Sequence, residues 1–143
     1  MDHLAIMKKS WGLLDKIGDG RKSIESRWYK NKICPWNRIR KGETVYFKDS
    51  GGPITLKAKV SGILQFSGLN PAKVRRILNE YGERDGLEKN QAGDFYKLFK
   101  NKNYCLLIFL EGAQKIRPFR IDKTGFGSMA AWICIGDINL IKK

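Results

Sequence analysis

The sequence predicts an α+β fold: a small, strongly curved β-barrel of mixed, mainly antiparallel strands, with a short N-terminal helix and a helical insertion. Three observations predict it. Short apolar or alternating runs follow one another at turn-sized intervals towards both ends of the chain, as antiparallel strands do. The middle carries the clearest helix signal, NPAKVRRILNEYG. The length, 143 residues, is that of one domain and suffices to bury a core without disulfide help. Residues 1–143 therefore read as a single domain with a helical insertion at about 67–103.

Each element has its own justification. HLAIM is a short apolar strand. Ser10 is placed to cap a brief helix, SWGLLDKI, with Leu13, Leu14 and Ile17 inward and Gly18 or Gly20 at its end. SIESRWY has period-two polarity and β-type residues. KICPWNRIRKGE is a loop, TVYFKD a strand, SGGP a turn, and ITLKAKVSGILQF a long strand with Ile54, Leu56, Ala58 and Val60 on one face. In the middle helix Asn70 caps, Pro71 takes the first position, Gly82 terminates, and Val74, Ile77, Leu78 and Tyr81 form one apolar stripe. ERDGLEKNQAG reads as a polar loop and GDFYKLFKNK as a second helix burying Phe95, Leu98 and Phe99. YCLLIFLEGAQKIRPF and MAAWICI return to strand. No repeat or low-complexity segment interrupts this order.

Charge narrows the partners. Lys and Arg number 28 against 14 Asp and Glu, giving +14 and a sequence pI near 9.9. Such a field attracts polyanions, nucleic acid first. Anionic-membrane attachment would need an amphipathic basic helix with exposed aromatics, and none is visible; the apolar runs at 106–110 and 129–135 are too short to span a bilayer. Cys34, Cys105 and Cys134 show no CxxC spacing and His3 is the lone histidine. That leaves little for a zinc site or a disulfide framework, so neither a metal nor a cofactor is expected. Cys105 and Cys134 read as small apolar core residues in a reducing compartment, which makes a cytoplasmic location and a monomer the expectation. His3, near the terminus without an evident partner, is a poor catalytic candidate.

The most informative stretch is GRKSIESRW, residues 20–28. On a strand, Ser23, Glu25 and Arg27 share one face, and Ile24, Ser26 and Trp28 the other. An ordinary surface ion pair of Glu25 with Arg27 or Lys22, worth no more than about 1 kcal/mol, is one reading. A polar cleft for a charged ligand is the other. Residues 29–41 follow with Lys30, Lys32, Arg38, Arg40 and Lys41, no acid among them, and Trp36 interleaved. These are either solvated loop cations or a surface on which charge tracks a backbone and rings stack on bases.

Gly20 to Arg27 fits G-x-K-x-x-E-x-R, and so resembles the signature of ASCH domains in the PUA-like superfamily. A Ser-Trp opening helix before it, a Trp after it, and KGETVYF agree with that resemblance, and the turn and strand are also similar to the EVE branch. The likeness runs over residues 3–66 and, loosely, 104–141. It implies a PUA-like barrel in which Lys22, Glu25 and Arg27 line a cleft between barrel and first helix. There Arg27 and Lys22 can hold a phosphate or carbonyl oxygen. Glu25 can accept from an exocyclic amine. Trp11 is the better stacking candidate and Trp28 the better core residue, while the 29–41 loop would form one rim. The implied function is binding of RNA, single-stranded nucleic acid or a nucleotide, modified bases included. The alternative is a hydrolase acting on acylated cytidine or RNA, with Lys22 and Glu25 as catalytic residues. Glu25 stands where such amidohydrolases carry Thr, so the hydroxyl would come from Ser23, on the Glu25 face, or Ser26.

Overall fold

The two longest patterned runs become the two longest strands. In the computed structural model, which describes residues 1–127 and 130–143, β4 (Ile54–Phe66) and β5 (Tyr104–Phe119) lie antiparallel within one six-stranded sheet. The other strands are β1 (Asp2–Met7), β2 (Ile24–Tyr29), β3 (Thr44–Asp49) and β6 (Trp132–Ile135), in the order β2-β5-β4-β3-β1-β6. Every neighbouring pair is antiparallel except β1 and β3. Register shifts after Ile54, Lys57 and Val60 bend β4 against β5, because each bulge adds a residue to one strand only. The result is a half-barrel with β2 and β6 at its two edges. The predicted strand MAAWICI begins on Met129, outside the described residues; its visible part starts at Trp132.

Three apolar clusters hold the molecule. The concave one gathers Ala5, Val45, Phe47, Leu56, Ala58, Val60, Leu106 and Ile108 under Leu13 and Ile17 of helix α1 (Leu13–Gly18). The second packs Ile24, Trp28, Cys105 and Leu107 against Val74, Ile77 and Leu78 of α2 (Pro71–Tyr81) and Phe95 of α3 (Ala92–Phe99). β5 thus buries Leu106 and Ile108 on one face and Cys105 and Leu107 on the other, which is why YCLLIFL is continuously apolar. The third cluster joins Leu4, Ile54, Ile133, Ile138 and Ile141.

Several local expectations change. Ser10 lies inside a single 3-10 turn (Lys9–Trp11), and α1 starts from Gly12 in the left-handed region (φ 63°) with no side-chain cap. Asn70 does cap α2, accepting from the Lys73 backbone N–H at 2.8 Å. Leu98 is 54% exposed, because α3 presents Phe95 and Phe99 to α2 and β2 and turns Leu98 to the opposite side. Cys34 and Cys134 are joined in a disulfide, with Cα atoms 6.7 Å apart. The expectation of a core thiol at Cys134 fails because the long loop after β2 returns to the sheet at β6, a contact across 100 residues that spacing does not reveal. Cys105 is buried as expected, and burial pushes its thiol far up. Among the described residues no helix is long and apolar enough to cross a membrane, and no group of metal-ligating side chains comes together.

Candidate functional site

Lys22 is the centre of a buried ionic cluster. Its ammonium donates to the Ile24 carbonyl at 2.6 Å and the Asp85 carbonyl at 2.7 Å. It also meets the Asp85 carboxylate, and lies 3.1 Å from Glu25 Oε1. Glu25 Oε2 accepts from Arg27 at 2.8 Å. Asp85 Oδ2 accepts from the Ser26 hydroxyl at 2.5 Å, and Ser26 in turn accepts from Trp28 Nε1 at 3.1 Å. Two cations and two carboxylates balance, so removal from water is offset by mutual attraction and by hydrogen bonds.

The titrating groups follow this arrangement. Burial pulls the Lys22 ammonium down, but the carboxylates of Asp85 and Glu25 outweigh it and hold the group above the ordinary lysine value. Burial pushes Glu25 up, and Lys22 with Arg27 reverses the direction. Asp85 goes the other way: burial and the charge of Glu25 raise it despite Lys22.

Beside this cluster opens a cleft of about 300 Å³. Its walls are Trp11, Trp28, Phe95 and Phe99, and its polar end is Glu25, Ser26, Arg27 and Asp85. Trp11 sits edge-on to Phe95 at 5.1 Å, Lys8 lies over Trp11 at 5.4 Å, and Trp28 stacks on Phe99 at 4.8 Å. Arg27 reaches the Ala131 carbonyl (3.2 Å) and covers the Trp132 ring at 5.1 Å. Trp132 Nε1 donates to His3 Nδ1 at 3.2 Å, and His3 Nε2 donates to Glu43 Oε1 at 2.9 Å. His3 therefore has two partners that its terminal position concealed.

The structure thus brings Trp11, Glu25 and Arg27 to one cleft and sets Lys22 behind it, saturated with acceptors. Ser23 lies outside, its hydroxyl near Arg84 Nε (3.4 Å), while Ser26 faces in. Strand alternation misleads here because β2 is an edge strand and the cleft opens along that edge, within reach of both faces. The cleft lies between the sheet and the helical insertion, with only the start of α1 contributing. None of Lys30, Lys32, Trp36, Arg38, Arg40 and Lys41 lines it. Lys30, Lys32, Arg38, Arg40 and Lys41 are exposed on the following loop. Trp36 packs inward, 5.1 Å from the Tyr104 ring. Asp85, Phe95 and Phe99 were not legible as site residues. The ERDG turn looks like any polar loop, and nothing local signals that it returns to Lys22.

No protein-family model and no curated protein matches the chain. Solved structures do. The ASCH protein of Zymomonas mobilis superposes with a TM-score of 0.66 at 16% identity, covering 94% of this chain and 87% of the other. A single-residue variant of the same protein gives 0.68 at 15% identity over 97% and 93%. The N-terminal domain of Staphylothermus marinus McrB gives 0.53 at 13% identity over 83% and 76%. The fold is that of an ASCH domain, PUA-like in architecture.

Proposed function

We propose that the protein binds RNA or a nucleotide, seating one base, modified or not, in the aromatic-walled cleft. The observation that carries this reading is the charge balance at the polar end. Lys22, Arg27, Glu25 and Asp85 neutralise one another, so that end suits the edge of a neutral base better than a phosphate. Planar walls from Trp11, Trp28, Phe95 and Phe99 suit its faces. Glu25 retains lone pairs for an exocyclic amine, and Ser26 Oγ, its proton engaged by Asp85, keeps one lone pair to accept with. The exposed cations of residues 30–41 then hold the backbone, positioning without specifying.

Titrating nucleosides, plain, methylated and acetylated, against intrinsic tryptophan fluorescence tests the reading. Saturable quenching is expected, with Glu25→Gln shifting the preferred base about tenfold, the scale of one good base-edge contact, while general RNA affinity holds. Absence of saturable quenching by any nucleoside or short RNA overturns it.

One observation favours a second reading, hydrolysis of acylated cytidine or RNA. The Ser26 hydroxyl donates at 2.5 Å to a carboxylate that burial makes more basic. Lys22, held protonated, is then an electrostatic partner and not a base. Turnover that Ser26→Ala abolishes while substrate still binds would establish this reading.

A further inference from the structure

β4 outruns its neighbour on one side. β3 pairs with it only as far as Lys59, and Val60 closes that ladder by accepting from the Gly42 N–H and donating to the Glu43 carbonyl. Past the register shift between Val60 and Gly62, β4 continues to Phe66 with β5 as its strand partner among the described residues. Register shows which groups this leaves open. Leu110 N–H donates to the Ser23 carbonyl, so Leu110, and by alternation Ile108 and Leu106, turn their backbone groups to β2. Phe109, Leu107 and Cys105 turn theirs to β4, where they meet Gly62, Leu64 and Phe66. Ile63 and Gln65 therefore point N–H and C=O outwards, and among the described residues no loop backbone takes them up.

A groove of about 610 Å³ runs along this edge, walled by Asn37, Ile39, Arg40 and Lys41 of the basic loop and by Ile63 and Gln65. The loop is held there through the Gln65 side chain, which leaves the Gln65 backbone free. Gln65 Oε1 accepts from the Asn37 N–H at 2.8 Å, and Gln65 Nε2 donates to Asn37 Oδ1 at 2.7 Å. The segment SGILQF carries no charge and no proline, two of the devices that keep exposed edges from pairing. Its other face is an apolar footing: Leu64 is 39% exposed, and a Cβ on Gly62 would meet nothing within 4 Å.

We propose that residues 62–66 of β4 are a docking edge for an acidic peptide, which adds as an extended strand beside Ile63 and Gln65. Their outward N–H and C=O groups are complementary to another peptide backbone. Phosphates only accept, and would leave both carbonyls unmet. Charge selects among peptides. Arg40 and Lys41 wall the groove, Arg38 is exposed two residues earlier, and Glu43, the next acid in the chain, is engaged by His3 at 2.9 Å. A second copy of this chain would set the same cations against themselves, so charge argues against it. Side chains opposite Ile63 and Gln65 share the groove's face, and those opposite Leu64 share the apolar one. The fitting sequence therefore alternates acidic and apolar residues. β5 separates this edge from β2 and the cleft, and the proposal does not depend on what the cleft binds.

The terminally blocked peptide TEVEVEVT, titrated into the protein and followed by amide NMR and hydrogen exchange, is the direct probe. Saturable shifts over residues 62–66 and slowed exchange at the Ile63 and Gln65 amides are expected. The basic counterpart TKVKVKVT should bind about tenfold more weakly or worse. The acidic peptide methylated on the backbone nitrogens that face β4 should not bind. Gln65→Pro removes one outward N–H at an edge position where proline is tolerated and should abolish binding, whereas Gln65→Ala keeps that N–H and should retain it. Arg40→Glu with Lys41→Glu should weaken binding about tenfold, and Lys97→Glu, exposed on α3, should change nothing. Unaltered exchange at Ile63 and Gln65 under saturating peptide overturns the proposal, as does equal binding of the acidic, basic and methylated peptides. Protection of these amides by oligouridylate but not by the peptide assigns the edge to RNA and overturns it. Protection that grows with protein concentration alone assigns the edge to a second copy, and overturns it too.

Discussion

His3 shows how a single side chain can carry a pH response far from any reaction. Trp132 Nε1 donates to Nδ1, so Nδ1 must be bare, and Nε2 carries the proton towards Glu43. The ring is buried and neutral. Burial lowers its pKa below the ordinary 6.5, and the Glu43 hydrogen bond only partly compensates. An unfolded chain therefore binds a proton at His3 that the folded one refuses. The associated stability is complete above about pH 6.5 and declines as pH falls through that value towards the lower folded pKa. Urea midpoints measured from pH 8 to pH 5.5 should fall across this window, and His3→Gln, which still offers a donor to Glu43, should flatten the curve. Glu43, held low, loses its contribution only in more acidic solution.

At the scale of elements, the loop between α2 and α3 is the least legible and the most consequential. It places Asp85 through Gly86, whose φ of 84° lies in the left-handed region. A Cβ there would stand 3.2 Å from the Lys22 side chain and 3.3 Å from Leu13. Gly86→Ala should lose about 1–3 kcal/mol by denaturant titration, the cost of strained backbone, and should weaken nucleoside binding in parallel. Most elements were readable because their signals are local. The Asn70 cap with Pro71, the alternation in β4 and the two-sided apolar run of β5 each appear in a few consecutive residues. The motif Lys22, Glu25 and Arg27 was readable for the same reason. Asp85 lies 63 residues from Lys22 and Cys134 lies 100 from Cys34; contacts made by the path of the chain leave no trace in spacing. The exposure of Leu98 was missed because a short amphipathic helix has two plausible apolar faces, and packing on α2 chooses between them.

For the whole molecule, the net charge of +14 sets the character of any nucleic-acid complex. With roughly five phosphates neutralised on a single strand, affinity should fall with a log–log salt slope near −3.5, a thousandfold or more per decade of salt. Reversing Arg38, Arg40 and Lys41 together should flatten the slope by about 2 and weaken all sequences alike. A salt-independent affinity would exclude this mode. The helical insertion has another consequence, set by the outer edge of β2. Ser23 and Ile24 both donate their N–H to the Arg84 carbonyl, and Lys22 takes up the Ile24 carbonyl, so residues 83–87 stopper the start of an otherwise open strand. An open half-barrel has unpaired ends, and an uncovered strand is a template for pairing with another chain. The insertion therefore protects solubility as well as walling the cleft: a version trimmed to the minimal half-barrel would stack through β2 into aggregates before it ever met a ligand.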